Sequence, residues 1–222
     1  AIRGVKGNFD RLLNTINMLK GIEAQHPCLH LELGTVVSKF NIDHLSEIED
    51  FVHDLGVESY RNEIAEQREE FYNIGDPITP SWIEYEQLME RFKLKIIQNI
   101  NNKKKLARIT ESFRLVYYDI VADIMREKTQ VISCFGGISN VHINYNGDVW
   151  PCCVLGYKKS MGNLRQKGLD FKSLWNSEKA QEIRTYIKNK NCWCPLANQA
   201  YSNILCHPPS MMKVFWNLFR YI

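Results

Sequence analysis

The sequence lacks the long uncharged apolar run that a membrane-spanning helix needs. No stretch approaches about 20 such residues, and the segment from Ala1 to Gly7 has no apolar core of the kind that a secretory signal carries. An excess of one charge is also missing, because 28 basic side chains stand against 25 acidic ones, for a net charge of +3. Charge this balanced gives no argument for a nucleic-acid or membrane partner. We therefore expect a cytoplasmic protein that binds neither.

Cysteine is scarce in the first half of the chain and abundant after it. Cys28 stands alone, whereas six of the seven cysteines lie between residues 134 and 206. An odd total excludes a complete set of disulfides within one chain. Short spacings in a chain without a secretory signal favour metal binding over disulfides. The 222 residues are enough for one large domain or two modest ones.

The N-terminal part predicts helices and strands in alternation. Its first helix has apolar residues at three- and four-residue spacing, with Asn8 as its N-cap and Gly21 as its stop. A strand, a helix and a second strand with short connections then follow, which is the unit of a parallel sheet. The predicted fold class is therefore α/β. The predicted elements are a helix at 8–20, a strand at 29–37, a helix at 44–55 and a strand at 57–64.

A polar loop at 65–80 leads into two long helices. Two residues compete to begin the first of them: Ser81, which has Glu84 at the spacing of a capping box, and Thr79, which places a proline at the first helical position. At Val131, helix-forming residues give way to Cys, Gly, Asn, Trp and Pro. We therefore place a domain boundary near 130. The predictions are helices to about Ile100 and from about Lys104 to Arg126, and domains at 1–130 and 131–222.

The second domain opens with a predicted β-hairpin that carries two cysteines. Residues 141–145 alternate as a strand does, and Asn146-Gly147 is the strongest short hairpin signal. The returning strand ends at Cys152, and Cys134 precedes the first strand. The two cysteines can therefore meet at the open end of the hairpin. Cys153, next in the chain, would point to the opposite face and belong to the core.

Two more cysteines follow a predicted helix at 170–188. Cys192 and Cys194 are one residue apart. Iron–sulfur clusters and zinc both take four thiolates from separated parts of the backbone, so spacing alone leaves iron and zinc open. Cys206, which is followed by His207, is an alternative that can complete or replace one ligand.

Three stretches of this second domain resemble the SPASM or twitch domains of radical S-adenosylmethionine (SAM) enzymes. They are CFGGISNVHINYNGDVWPC, MGNLRQKGLDFKSLWNSEKAQEIR and CWCPLANQAYSNIL, in that order within residues 131–207. The resemblance implies a small α+β domain, a β-hairpin followed by a helix, around an auxiliary [4Fe–4S] cluster. By position, Cys134 and Cys152 match the first two ligands, and Cys192 and Cys194 match the pair after the helix. The shorter twitch form with one cluster fits better, because the later cysteines of the full SPASM pattern are absent.

The N-terminal stretches IRGVKGNFDRLLNTINML, LHLELGTVVSKFN and HLSEIEDFVHDLGVESYRNE resemble, in texture and order, the second half of the partial (β/α)6 barrel of radical SAM enzymes. The Cys-x3-Cys-x2-Cys motif of that family, which binds the SAM-cleaving cluster, is missing. We therefore expect a C-terminal fragment or a natural truncation that does not cleave SAM by itself. In a full-length form, the resemblance implies an oxidoreductase with SAM, a second [4Fe–4S] cluster and an electron donor such as flavodoxin or ferredoxin.

Chemistry in (β/α) barrels occurs at the C-terminal ends of the strands. Thr35, Ser38, Arg61 and Glu63 lie near those ends in the predicted half-barrel, so we expect them to contact SAM or the substrate. The resemblance implies that the auxiliary cluster supports substrate binding or electron transfer during 5′-deoxyadenosyl-radical chemistry on a peptide or small metabolite. The alternative is a four-cysteine zinc-binding structural or interaction domain without a redox role. The apolar run at 211–219 predicts a final helix that packs on the same chain.

Overall fold

The computed structural model describes residues 5–26, 28–57, 59–68 and 71–221. The chain mixes α-helices with two small sheets, in agreement with the predicted alternation of helices and strands. It divides into two compact units, of which the first comprises Ala1–Val37 and Asp43–Glu63 and the second Ser38–Ile42 and Ile64–Ile222. The half-barrel and the domain boundary near residue 130 stay predictions.

The first unit contains two helices and a two-stranded sheet in which β1 and β2 are neighbours. Gly7 occupies the cap position of the first helix in a left-handed conformation with φ of 72°, which glycine adopts without strain. The helix therefore begins at Asn8 instead of being capped by it, and it continues past Gly21, because a single glycine lowers helix stability without ending the helix. The elements are α1 (Asn8–Glu23), β1 (Glu32–Val37), a 3-10 turn (Ile42–His44), α2 (Leu45–Asp54) and β2 (Ser59–Ile64).

The second unit is built on α4, a long helix whose side chains are mostly buried. It packs against α3, α7 and α8, so it is the central element of this helical layer. The largest fully buried side chains of the second unit include Tyr85 on α3 and Tyr117 and Tyr118 on α4. The four helices are α3 (Trp82–Asn99), α4 (Lys105–Glu127), α7 (Ala197–Leu205) and α8 (Pro208–Arg220).

Helix α3 begins with a capping box, which decides between the two predicted starts. The Ser81 hydroxyl accepts a hydrogen bond from the Glu84 backbone at 3.3 Å, and the Glu84 carboxylate accepts one from the Ser81 backbone at 2.8 Å. These two bonds satisfy N–H groups that have no partner inside the helix. Thr79 instead donates its hydroxyl to the carbonyl of Ala65 at 2.9 Å, which secures the preceding loop.

Helix α8 is amphipathic in the manner predicted for the end of the chain. It buries Ser210 and Val214 in the helical layer and exposes Met212, Trp216 and Phe219. Over the ranges that the structure describes, none of the helices combines the length and the apolar character required to cross a membrane.

The cysteine-rich region forms a three-stranded antiparallel sheet followed by two helices. His142 lies opposite Trp150, so the predicted hairpin is confirmed, with Gly147 in its turn at φ of 91°. The predicted helix at 170–188 is wrong in one respect, because it is interrupted where Ser177 caps a new helix by accepting from the Ala180 backbone at 3.2 Å. The elements are β3 (His142–Ile143), β4 (Asp148–Trp150), β5 (Gly162–Asn163), a 3-10 turn (Arg165–Lys167), α5 (Phe171–Trp175) and α6 (Glu178–Lys188).

Candidate metal centre

Four cysteines line one cavity in the second unit. They come from three separate places: the loop after α4, the bend after β4 and the loop after α6. A small apolar core lies beneath the cavity and includes Val149, Leu155 and Met161. The cavity-lining cysteines are Cys134, Cys152, Cys192 and Cys194.

The loop that carries Cys134 packs closely because it contains glycine. A β-carbon at Gly136 would lie 3.5 Å from the Cys134 sulfur and 3.3 Å from Oε1 of Gln199. The next residue, Gly137, has φ of 72°, and its carbonyl accepts a hydrogen bond from Arg184 on α6 at 2.7 Å. The loop that carries Cys134 is therefore packed against both α6 and α7.

Nearby N–H groups lower the pKa of all four thiols. Backbone N–H groups act on three of them and side-chain amides on two. N–H groups directed at sulfur stabilise the thiolate form and tune the potential of any bound cluster. The donors are the backbones of Gly136, Val154, Leu155 and Leu196 and the side chains of Gln130 and Asn203.

Burial outweighs these donors in setting the charge of the thiols. The pKa of Cys152 is raised to about 12 and that of Cys192 to about 11, chiefly by desolvation and to a smaller extent by neighbouring cysteines. Desolvation also raises the pKa of Cys134, and it raises the pKa of Cys194 well above its ordinary value. Without a bound cation, the four thiols are therefore neutral at pH 7. A metal centre would displace their protons, as metal binding to cysteine does in general.

Gln130 joins two of the ligand loops. Its buried amide nitrogen donates to the carbonyls of Ile187 at 2.9 Å and Cys192 at 2.8 Å, and its amide oxygen accepts from the Cys134 backbone at 3.2 Å. The same nitrogen lies 3.9 Å from the Cys192 sulfur. Sequence reasoning missed this residue, because a glutamine just after a helix carries no local signal of such a role.

Helix α7 supplies a second polar pair at the cavity. Asn203 accepts a hydrogen bond from the Phe135 backbone at 2.8 Å and another from Gln199 at 2.8 Å. The amide oxygen of Gln199 is buried and has no hydrogen-bond partner among the described residues. The loop after Cys194 is attached to α4 as well, because the Tyr117 hydroxyl donates to the Pro195 carbonyl at 3.3 Å.

The other three cysteines lie outside the cavity. Cys206, the predicted alternative ligand, is exposed at the end of α7, and Cys28 is exposed in the first unit. Cys153 was predicted to belong to the core, but it is half-buried and lies outside both the cavity and the apolar core beneath it. Its sulfur lies 3.4 Å from Nδ1 of His142, whose ring stacks on Trp150.

The residues predicted to contact SAM or substrate have partners within their own units. Thr35 on β1 accepts a hydrogen bond from the Tyr60 hydroxyl at 2.9 Å, and Arg61 on β2 lies 3.3 Å from the Glu63 carboxylate. Ser38 is buried at the turn that follows β1. Their assignment to SAM or substrate stays a prediction.

The donor set around the cavity is made of thiols. Among the described residues, no three Cys, His, Asp or Glu side chains gather around one point as the ligands of a single metal ion do. The thiols line a cavity of about 30 Å³. Four thiolates are the ligand set of iron–sulfur clusters and of structural zinc, so the donor set fits either group.

The sequence of this region matches a known domain. Residues 134–195 match SPASM, an iron–sulfur cluster-binding domain. The SPASM match begins at Cys134 and ends one residue after Cys194, so it contains all four cavity-lining cysteines. It covers just over a quarter of the 222 residues. No curated protein and no solved structure matches the chain significantly.

Proposed function

We propose that Cys134, Cys152, Cys192 and Cys194 hold a [4Fe–4S] cluster, and that this is the auxiliary cluster of a radical SAM enzyme. The observation that carries the proposal is the convergence of four cysteines from three separate loops on one cavity. The SPASM match over the same residues supports the choice of iron and sulfide.

The residues around the cavity have distinct tasks in this proposal. The four cysteines supply the ligands, and the amides of Gln130 and Asn203 orient two of the ligand loops. The apolar core beneath keeps water away from the sulfur atoms, which raises the effect of every nearby dipole. When bound, a [4Fe–4S] cluster with these four ligands would supply one-electron transfer, and its charge would help to orient a substrate beside it.

The chain would therefore act as the C-terminal portion of an enzyme that uses SAM, a second [4Fe–4S] cluster and a reduced electron donor. Its substrate would be a peptide or a small metabolite, and the auxiliary cluster would accept an electron from the substrate or help to bind it. The resemblance of the N-terminal stretches to the second half of the radical SAM barrel supports this larger assignment. The chain alone is not expected to cleave SAM.

Anaerobic reconstitution with iron and sulfide tests the cluster. We expect a brown protein with broad absorption near the violet end of the spectrum and about four irons per chain. Cys152→Ala should lose the colour and most of the iron. Cys153→Ala is the matched control, because it removes the adjacent thiol that points away from the cavity, and it should retain both.

Two results would contradict the assignment. Equal iron loss in the two variants would show that iron binding does not depend on Cys152 more than on Cys153. A colourless protein that copurifies with one zinc per chain, and loses that zinc in Cys152→Ala, would favour the structural zinc domain instead.

A further inference from the structure

A second cavity lies beside the cysteine site in the same unit. Its volume is about 640 Å³, within the range of pockets that bind small organic ligands. Three residues, Val154, Trp193 and Cys194, line both cavities and form the wall between them. A ligand in the larger cavity would thus lie beside Cys194, and the wall would separate it from the other three cysteines.

The lining of this cavity is mostly apolar and includes two indoles. Trp82 begins α3, and Trp193 is 41% exposed between two of the cysteines. Met125 and Pro195 add further apolar surface. Indole rings bind flat apolar groups with a favourable stacking geometry, so the lining favours an aromatic or similarly flat body.

Two charged residues, Glu66 and Lys128, line the cavity, and only the charge of Glu66 is offset by a neighbour. Glu66 is largely buried, and its carboxylate lies 3.8 Å from the Arg68 guanidinium, which offsets its charge. Lys128 is exposed, and no ion pair joins it to any residue in the described part of the chain. Over the described residues that line the cavity, the unbalanced charge is therefore positive.

Lys128 also holds an unfavourable backbone conformation. It follows the last residue of α4 with φ of 51°, in the left-handed region that usually selects glycine at this position. A lysine there costs stability relative to glycine. A residue held in such a conformation at the edge of a cavity is consistent with a role for its side chain there.

We infer that the cavity lined by Trp82, Trp193 and Lys128 binds an organic carboxylate with an aromatic or apolar body. The carboxylate would pair with the Lys128 ammonium, and the body would lie against the indoles. This deepens the proposed function, and it rests on that function only in treating the ligand as the substrate. Binding itself does not need a cluster.

Isothermal titration with three probes of one shape tests the inference. Phenylpropanoate, phenylpropanamide and phenylpropylamine share a ring and differ in the charge at the end of the chain. We expect the wild-type protein to bind the carboxylate roughly fivefold more tightly than the amide, as one partly exposed charge-assisted contact provides. Lys128→Gly should abolish this preference and leave amide binding unchanged.

The chain provides a matched control for the substitution. Lys190 is also an exposed lysine just past a helix, with φ of 58°, and it does not line the cavity. Lys190→Gly makes the same change of charge and backbone, and it should keep the carboxylate preference. Lys128→Gly should unfold at the wild-type temperature or above it, because glycine relieves the strain, so its loss of preference cannot come from misfolding.

The inference is overturned if the wild-type protein binds none of the probes, binds the carboxylate and the amide equally, or binds the amine most tightly. It is also overturned if Lys128→Gly keeps the preference or Lys190→Gly loses it. Titrations before and after reconstitution separate the two proposals. Carboxylate binding without iron retention would refute the cluster alone, and iron retention without binding would refute the ligand site alone.

Discussion

Replacement of Gln130 by methionine would disconnect the two loops that Gln130 joins. Methionine has a similar length and fills the same space, but it neither donates nor accepts a normal hydrogen bond. The Cys192 carbonyl and the backbone N–H of Cys134 would lose their partner, whereas the Ile187 carbonyl would keep the Lys190 backbone N–H at 3.0 Å. The substitution therefore tests hydrogen bonding with little change in packing.

The magnitude follows from the three hydrogen bonds that are lost, two of which leave a backbone group without a partner among the described residues. A hydrogen bond of this kind contributes about 1 kcal/mol net, and a buried group left unsatisfied costs about 1–3 kcal/mol. Because Gln130 is only 5% exposed, water cannot easily replace it. Three lost bonds give a loss of about 3 kcal/mol in the free energy of unfolding, which is a large part of the total for a domain of ordinary stability.

Urea denaturation of the metal-free protein measures this loss, and iron content after reconstitution measures its effect on the site. Gln181→Met is the control, because Gln181 is an exposed glutamine on α6, and it should change stability by less than about 0.5 kcal/mol. We expect Gln130→Met to retain clearly less iron than the control. A Gln130→Met protein as stable and as iron-rich as Gln181→Met would refute the role assigned to Gln130.

Two further predictions concern local structure. Ser81→Ala removes the cap of α3 and should lower stability by about 1 kcal/mol, measured by thermal unfolding; an unchanged midpoint would mean that the capping box contributes nothing. Gly137→Ala places a side chain at φ of 72° and 2.8 Å from the terminal methyl of Met161. It should cost about 1–2 kcal/mol from the backbone alone, and wild-type stability in urea would show that this loop adapts freely.

The elements that the sequence predicted well are those with short-range signals. The Asn146-Gly147 turn needs a residue that accepts positive φ, and this need is visible within four residues. The Ser81 cap is similarly local. The helix predicted at 170–188 failed for the opposite reason, because apolar periodicity continued across Asn176 and masked the new cap at Ser177.

The candidate site shows where such reasoning stops. Its four cysteines were identified from spacing and resemblance, both of which can be read along the chain. Gln130 and Asn203 were not identified, because each acts on a loop more than 60 positions away in sequence. Only the packing of α4 and α7 around the cysteine loops brings these amides to the sulfur atoms. Lys128 was missed as well, since its backbone conformation has no counterpart in the sequence pattern.

The opposite surroundings of Cys152 and Cys153 have a practical consequence for chemical labelling. The seven thiols fall into four that line the cavity and three that stand outside it. A coordinated sulfur shares its charge with the metal and is alkylated more slowly than a free thiol, so Cys28, Cys153 and Cys206 should react first in the filled protein. The alkylation pattern read by mass spectrometry would therefore report how many molecules carry a filled centre, even in a sample too dilute to show colour.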